Sequence, residues 1–500
     1  VPSHSPARRD FYCVVGIIIL ALAVRWGRMS QSLWYDEMTT VTEYLVRPWQ
    51  RTLTPHAGEY VPNNHVLHTV LVKLVYPLVT DGGDPMPPAE AVLRLPALVA
   101  SLLLPIALAW PLRKSDPLLA GVAAVTAAVN PWLVAFGTEA RGYSLLLLLG
   151  IVATALLPAG RPWRSWGYAA SLAAAICTVP LAVLLVPAHA IAVAVTRCSP
   201  WRRWALSTGT GLAIAALLYL PMRHGLIAYY RHPYAATMSY RRLLDWLPRY
   251  AWTGERLPRD GSTGSIFWAV PVLTIIMGSV LGWQRPAVRP LLVTLLAVTA
   301  LGLGLAAVDP AAVEVRFIPW VAPLFCLAIA AALTTVPGKP ARIAGGLGFA
   351  AILFFSLQLD WRMLPDEPIR EGIALADQRV PPDRRIVVLY LGARESIFLY
   401  AFNPPRSHVF VPADDETMME TATREAVQST GYLPWVLIYF EQQAKDRDAE
   451  PGPAHGMWSD LVRHYHIAAR LPARLGAVTL YAPDQGGPVR VPQVISAAFP

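Results

Sequence analysis

Apolar runs at 11–26, 93–112, 117–136, 143–159, 166–180, 181–196, 204–222, 265–283, 290–307, 318–336 and 343–359 dominate the first 360 residues. At 1.5 Å per residue, runs of this length approach or cross a hydrocarbon core of about 30 Å. A chain carrying so many of them has a bilayer, not water, as its natural solvent. Composition agrees: 55% of the residues are hydrophobic, 15% are charged, and the mean hydropathy is +0.41, too apolar for an ordinary soluble protein. The net charge of +9 does not point to nucleic acid, because most basic residues stand in short clusters between apolar runs, as topology determinants do. All four cysteines, Cys13, Cys177, Cys198 and Cys326, fall in or beside apolar runs, so no disulfide framework is indicated. Thirty-eight arginines against four lysines hint at a GC-rich bacterial genome.

The first run follows Arg8-Arg9 and is not followed by a small-residue cleavage site, so it reads as a retained helix with a cytoplasmic N-terminus. With eleven spans, every second loop is basic: Arg113-Lys114, Arg161 with Arg164, Arg197 with Arg202-Arg203, Arg285 with Arg289, and Lys339 with Arg342. These loops are expected in the cytoplasm of a cell whose inner membrane the protein spans several times. The apolar stretch 65–79 breaks this alternation if counted as a span, and is read as an interfacial helix. The outer face then holds a long first loop (27–92), a short loop near 137–142, a basic aromatic loop (223–264), a short loop near 308–317, and the C-terminal tail. The tail is expected to alternate helix (367–380), strand (385–391), helix (414–429), strand (435–440), helix (457–469) and strand (477–481). The expected fold is therefore mostly α: a polytopic helix bundle over 1–360, followed by an extracytoplasmic α/β domain over 361–500. The tail's only candidate phosphate loop, Tyr390-Leu391-Gly392-Ala393-Arg394, lacks the further glycines of a nucleotide-binding loop.

Polar chemistry concentrates in the outer loops. The first contains Trp34-Tyr35-Asp36-Glu37, two carboxylates framed by aromatics, which serve equally as a catalytic pair or as the cap of a short helix running to 45. The second, Gly137-Thr138-Glu139-Ala140-Arg141-Gly142-Tyr143, places an acid and a base between apolar spans, either as substrate ligands or as an internal pair closing a helical hairpin. Asn63-Asn64-His65 opens the interfacial helix, with His68 one turn along the same face; Asn64 as a cap accounts for part of it, and His65 as a ligand for a sugar hydroxyl or phosphate for the rest. Glu314-Val315-Arg316-Phe317 stands at the start of a span, where a guanidinium either grips a lipid phosphate or snorkels. Arg231 and Arg241 lie in the basic aromatic loop, which suits anionic headgroups and also interfacial anchoring.

In their order, the acidic Trp-Tyr-Asp-Glu loop after the first helix, Asn-Asn-His at an interfacial helix, Glu-Ala-Arg-Gly-Tyr in the second loop and Arg-Phe near a later span resemble the C-type-fold (GT-C) glycosyltransferases. The likeness is nearest to the protein O-mannosyltransferases and the lipid A aminoarabinose transferases, and covers about residues 10–340. No Trp-Trp-Asp, the mark of the oligosaccharyltransferases, is present. The resemblance implies an inverting transfer from a polyprenyl-phosphate-linked sugar to a hydroxyl of a lipid, polysaccharide or protein acceptor at the outer membrane surface. It implies Asp36 as general base and Glu139 as a second catalytic carboxylate. Arg316, with Arg231 or Arg241, would sit at the donor phosphate, and Tyr35, Glu37, His65, Arg141 and Tyr143 around the substrate. A divalent metal ion held by Asp36 and Glu139 fits two hard oxygen ligands, although metal use differs among such enzymes. A lipid or glycan transporter is the competing class; transporters tend to pair broken helices between matching halves, and the sequence shows no such symmetry. A membrane scaffold whose tail captures a partner is a third.

Overall fold

The computed structural model describes residues 6–53, 65–79, 89–157, 162–223, 240–253, 264–308, 315–361, 368–390, 408–412, 416–439, 464–471 and 477–484. They group into two compact units: Val1–Met29, Arg47–Gly83 and Ala91–Leu359 in the first, and Ser30–Val46, Asp84–Glu90 and Asp360–Pro500 in the second. Two pieces of the first loop thus cluster with the tail in sequence-distant company, which the apolar pattern alone does not reveal.

In the first unit a helix occupies each expected span. Pro6–Trp26, Leu95–Ala109, Tyr143–Leu156, Pro162–Thr178, Leu185–Thr196, Trp201–Tyr219, Gly264–Trp283, Arg289–Val308, Val321–Leu333 and Lys339–Trp361 are all helical. Trp201–Met222 and Arg289–Val308 are long and apolar enough to cross a membrane by themselves, and a bent pair makes a third candidate; several others are shorter apolar helices. The stretch expected to be interfacial forms the helix Val66–Val79. The longest helix not foreseen among the described residues is Tyr240–Thr253, which buries Leu243, Leu247 and Ala251 at four-residue spacing; the short helices Trp49–Leu53 and Glu90–Leu93 were not foreseen either.

The bent pair corrects the continuous span expected over 117–136. The helix stops at Val129 and restarts at Pro131, turning by 60°. Proline has no N–H to continue the ladder and forces its predecessor into extended backbone, which Asn130 adopts (φ −63°, ψ 123°). Asn130 then recaps the new helix: its side-chain oxygen accepts the Leu133 N–H at 3.1 Å, and its amide donates to the Ala251 carbonyl at 2.8 Å. Both sides of the break are tied to Arg25, a fully buried side chain of the first helix. Its Nη1 donates to Ala128 O at 2.8 Å, its Nη2 to Leu133 O at 3.3 Å and its Nε to Ser101 Oγ at 2.6 Å. The close approach needs Gly137, where a Cβ would clash with Ser101 Oγ and stand 2.8 Å from Arg25 Nε. Elsewhere in the bundle His189 bonds Thr154 Oγ1 at 3.0 Å and Tyr168 Oη at 3.1 Å, and Tyr168 meets Thr208 at 3.1 Å. One imidazole thereby links four helices through fully paired polar groups.

The second unit contains a five-stranded mixed sheet: β1 (Ile386–Tyr390), β2 (His408–Pro412), β3 (Trp435–Ile438), β4 (Tyr465–Leu471) and β5 (Val478–Pro483), in the order β2-β1-β3-β5-β4. β1 runs parallel to β2 and β3, whereas β5 is antiparallel to β3 and β4. Helix Ile369–Arg379 packs Ile369, Ile373 and Ala376 into the core formed by Ile386, Val388, Leu437 and Leu480, and Tyr439 Oη donates to Ile369 O at 2.7 Å. Glu416–Thr430 is the expected second helix. The expectation of helix over 457–469 fails in its described part, because Tyr465, Ile467, Ala469 and Leu471 recur with the two-residue period of a strand, and pair with β5 around a bulge between Ile467 and Ala469. β2 had not been foreseen. The loop 391–394 lies outside the described residues.

Candidate active site

In the second unit, Tyr35 opens the short helix Tyr35–Thr39, which continues as a π-helical turn over Thr40–Leu45. Glu37, not Asp36, is the residue that ties its start: the Glu37 carboxylate accepts the Trp34 N–H at 3.2 Å, the reach-back half of a capping box. Both carboxylates are buried, Glu37 fully. The backbone carbonyl of Asp36 accepts from Thr40 Oγ1 at 3.3 Å, which fixes the turn that carries the Asp36 side chain. Wider π turns recur at functional sites.

In the first unit a second cluster forms where the helix Val66–Val79 meets the turn 138–142. His65, Arg141 and Tyr143 are buried. His65 Nδ1 accepts the Gly142 N–H at 3.2 Å, and its Nε2 stands 3.3 Å from Arg141 Nη2. The His65 and Tyr143 rings meet edge to face at 4.9 Å, and the Arg141 guanidinium lies 5.0 Å from the Tyr143 ring centre, within cation–π range. Phe136, Trp132 and Tyr250 extend the aromatic contact, with centroids 4.8 Å from Tyr143 to Phe136, 5.5 Å on to Trp132 and 5.4 Å on to Tyr250.

The turn is tight because Gly142 has no side chain. Its φ of −81° is ordinary; the constraint is proximity, since a Cβ would lie 2.5 Å from the Thr178 methyl and 2.8 Å from His65 Nδ1. Glu139 is half-buried on the same turn, its carbonyl accepting the Arg141 N–H at 2.7 Å. Arg316 sits half-buried on the 3-10 turn Val315–Phe317. Burial, then the positive charges of Arg141, His68 and Arg316, hold His65 well below the usual histidine range. Burial followed by Arg141 brings His68 down to about 3. Both imidazoles are therefore neutral at physiological pH, and the excess positive charge resides on the arginines, an electrostatic setting suited to an anion.

Of the residues expected from sequence, His65, Arg141, Tyr143 and Arg316 thus share one neighbourhood, with Glu139 on its turn. Asp36, Glu37 and Tyr35 belong to the other unit. Arg241 is exposed on the helix Tyr240–Thr253, and Arg231 lies outside the described residues. Among the described residues no three His, Cys, Asp or Glu side chains gather as a metal site would require. Sequence reasoning passed over Gly142 and Thr178; the Ala-Arg-Gly-Tyr string held the signal for the first, whereas Thr178 is some distance along the chain and nothing local marks it.

No protein-family model matches the sequence, and no curated protein matches it. Among solved structures, ArnT from Cupriavidus metallidurans bound to undecaprenyl phosphate aligns over 97% of this chain and 100% of its own, at 12% identity and a TM-score of 0.52. The same protein in the apo state aligns over 95% and 98% at 13% identity with a TM-score of 0.48. Arabinofuranosyltransferase AftD from Mycobacteria aligns over 97% of this chain and 40% of its own at 16% identity, with a TM-score of 0.44. The chain has the GT-C fold.

Proposed function

We propose that the chain is an integral membrane glycosyltransferase that moves a sugar from a polyprenyl-phosphate donor to an acceptor hydroxyl, with inversion, at the outer face of the membrane. What carries the reading is the fold shared along the whole chain with ArnT, itself bound to undecaprenyl phosphate. The cationic neighbourhood of Arg141 and Arg316 around neutral His65 supports it. In this reading eleven spans place the N-terminus in the cytoplasm and the α/β domain of residues 361–500 outside.

Asp36 accepts the acceptor hydroxyl's proton as its oxygen attacks the anomeric carbon. The sugar–phosphate C–O bond breaks with its electron pair passing to the phosphate oxygen, and prenyl phosphate leaves. Since that group already leaves well, the protein's main task is to stabilise negative charge. Arg316 performs it, with Arg231 or Arg241 as the second choice, while Glu139 orients the acceptor. The transporter reading receives less support: one bent helix pair occurs among the described residues, without the matching break that repeat-built transporters carry.

The deciding experiment incubates purified full-length protein with a panel of polyprenyl-phosphate sugars and follows prenyl phosphate release. Turnover with at least one donor is expected, and Asp36→Asn lowers it by at least about 10²-fold, the scale of a lost general base, with an unchanged melting temperature. Full turnover by that variant removes Asp36 from the mechanism; no turnover with any donor, alongside vesicle transport of the lipid, favours the transporter.

A further inference from the structure

His65 makes two contacts that fix where its proton resides. A neutral imidazole has one acceptor nitrogen; Gly142 has a single backbone N–H, at 3.2 Å from Nδ1, whereas the Arg141 guanidinium has several N–H groups and makes further contacts, so Nδ1 is the acceptor. The proton of the neutral ring is then on Nε2. Nε2 faces Arg141 Nη2 at 3.3 Å, and a guanidinium also has only protons to offer. The Nε2–H of His65 and one guanidinium N–H of Arg141, a side chain with partners elsewhere, therefore stand against each other. Protonating the ring leaves the clash in place and also takes away the acceptor that Gly142 needs. An oxygen with free lone pairs seated between them would resolve the conflict.

A second observation is independent of the first. One turn along the same helix, His68 is fully buried, and neither of its ring nitrogens has a hydrogen-bond partner among the described residues. A neutral imidazole buried without partners loses its hydration with no return, which is a poor arrangement for a purely structural residue and an ordinary one for a ligand site.

We propose that His65, as its Nε2–H tautomer, and Arg141 form a two-donor fork that grips one oxygen of a phosphoryl group, with His68 supplying a further hydrogen bond to that group or its hydration. This rests on the lipid-phosphate reading of the site and assigns the grip to residues that had been placed only loosely around the substrate. His65 is specific to the oxygen because Gly142 locks its tautomer; a bulkier residue at 142 would unlock it.

The test uses the full chain in lipid nanodiscs and measures Kd for undecaprenyl phosphate, for undecaprenol and for inorganic phosphate. Asparagine places an acceptor where Nδ1 lies but does not reach Arg141; glutamine places an amide donor near Nε2. The fork predicts that His65→Asn weakens undecaprenyl phosphate binding at least tenfold, His65→Gln by less than threefold, and that neither change alters the weak binding of undecaprenol. A residue that merely supports the turn at Gly142 gives the opposite order, which overturns the proposal. His68→Leu is expected to weaken binding while raising the melting temperature, since it removes an unsatisfied buried group; a lowered melting temperature with intact binding overturns the role of His68. In protein labelled with 15N-histidine, His65 should show a bare Nδ1 and a protonated Nε2 whose signal moves when undecaprenyl phosphate is added, and a protonated Nδ1 overturns the fork whatever the folding of the variants. If the wild type turns over a polyprenyl-phosphate sugar but the His65 variants bind in the wrong order, the fork alone falls. If it binds inorganic phosphate and not the lipid, the lipid source falls; if it binds neither, the functional reading falls with the fork.

Discussion

Gly142→Ala is the most economical perturbation of the cluster. The backbone at 142 (φ −81°, ψ 5°) admits alanine, so any effect is due to the added methyl. That methyl would stand 2.5 Å from Thr178 Cγ2, 2.8 Å from His65 Nδ1 and 3.0 Å from His65 Cβ, against a comfortable separation of about 3.5–4.0 Å. Something must move by roughly 1 Å. Thr178 is anchored at the end of its helix by a 2.8 Å bond from Oγ1 to Ala174 O, so the imidazole is the part that yields. Its bond from Gly142 and its approach to Arg141 are lost together. Overpacking of this kind costs about 1–3 kcal/mol; expressed wholly in phosphate binding, that is a weakening of about 5- to 150-fold. The assay is Kd for undecaprenyl phosphate alongside the initial rate of prenyl phosphate release. Thr178→Ser, which deletes the nearer methyl, should restore part of the loss in the double variant. Wild-type binding and an unchanged melting temperature in Gly142→Ala would refute the reasoning.

Further expectations concern stability. Gly137→Ala drives a methyl into Ser101 and Arg25 and should destabilise by about 1–3 kcal/mol, seen as a lower melting temperature that Ser101→Gly partly relieves. Glu37→Ala removes the acceptor for Trp34 N–H and should cost about 0.5–2 kcal/mol, whereas Glu37→Gln, which can still accept, should cost less; equal losses from both would show that charge rather than capping matters. His68 has a folded-state pKa lowered from 6.5 to about 3, so the unfolded chain takes up its proton first. The protein's stability is therefore independent of the protonation of His68 above pH 6.5 and declines as pH falls from 6.5 toward 3. His68→Leu should flatten the fall in melting temperature over that window, and an identical slope in both proteins would contradict it.

The helices were legible because apolar length is written locally. The break at Asn130 was not read, although Asn130-Pro131 stood in plain view, because the apolar run continues through it and hydropathy carries no direction. In the tail, a helix is expected over 457–469, while the alternating Tyr465, Ile467, Ala469 and Leu471 carry the signal of the strand that forms there. At the candidate site, His65, Arg141, Tyr143 and Arg316 were named from motif order. What the sequence did not disclose is the pairing of His65 with Gly142, the packing of Thr178 against both, or that Glu37 holds the helix start while Asp36 does not. The first two depend on contacts between residues tens of positions apart, which no local pattern encodes; the Glu37 contact spans only three residues, but its partner is a backbone N–H, which carries no residue signature.

Arg25 has a bearing on how the protein is made. It lies in the last turn of the first helix, and its partners Ser101, Ala128 and Leu133 follow 76, 103 and 108 residues later. At about 5–20 residues per second, roughly 5 to 22 s of synthesis separate the arginine from the last of them. During that interval the guanidinium has only Ala21 O of its own helix, at 2.9 Å, among its acceptors, and its remaining N–H groups are served by keeping it at the aqueous boundary by snorkelling. Only when the broken helix arrives can the charge be drawn inward. In the eleven-span reading proposed above, the final depth of the first helix is accordingly chosen by a segment not yet translated when that helix enters the bilayer, and a substitution at Asn130 or Ser101 would show itself in the membrane seating of residues 6–26.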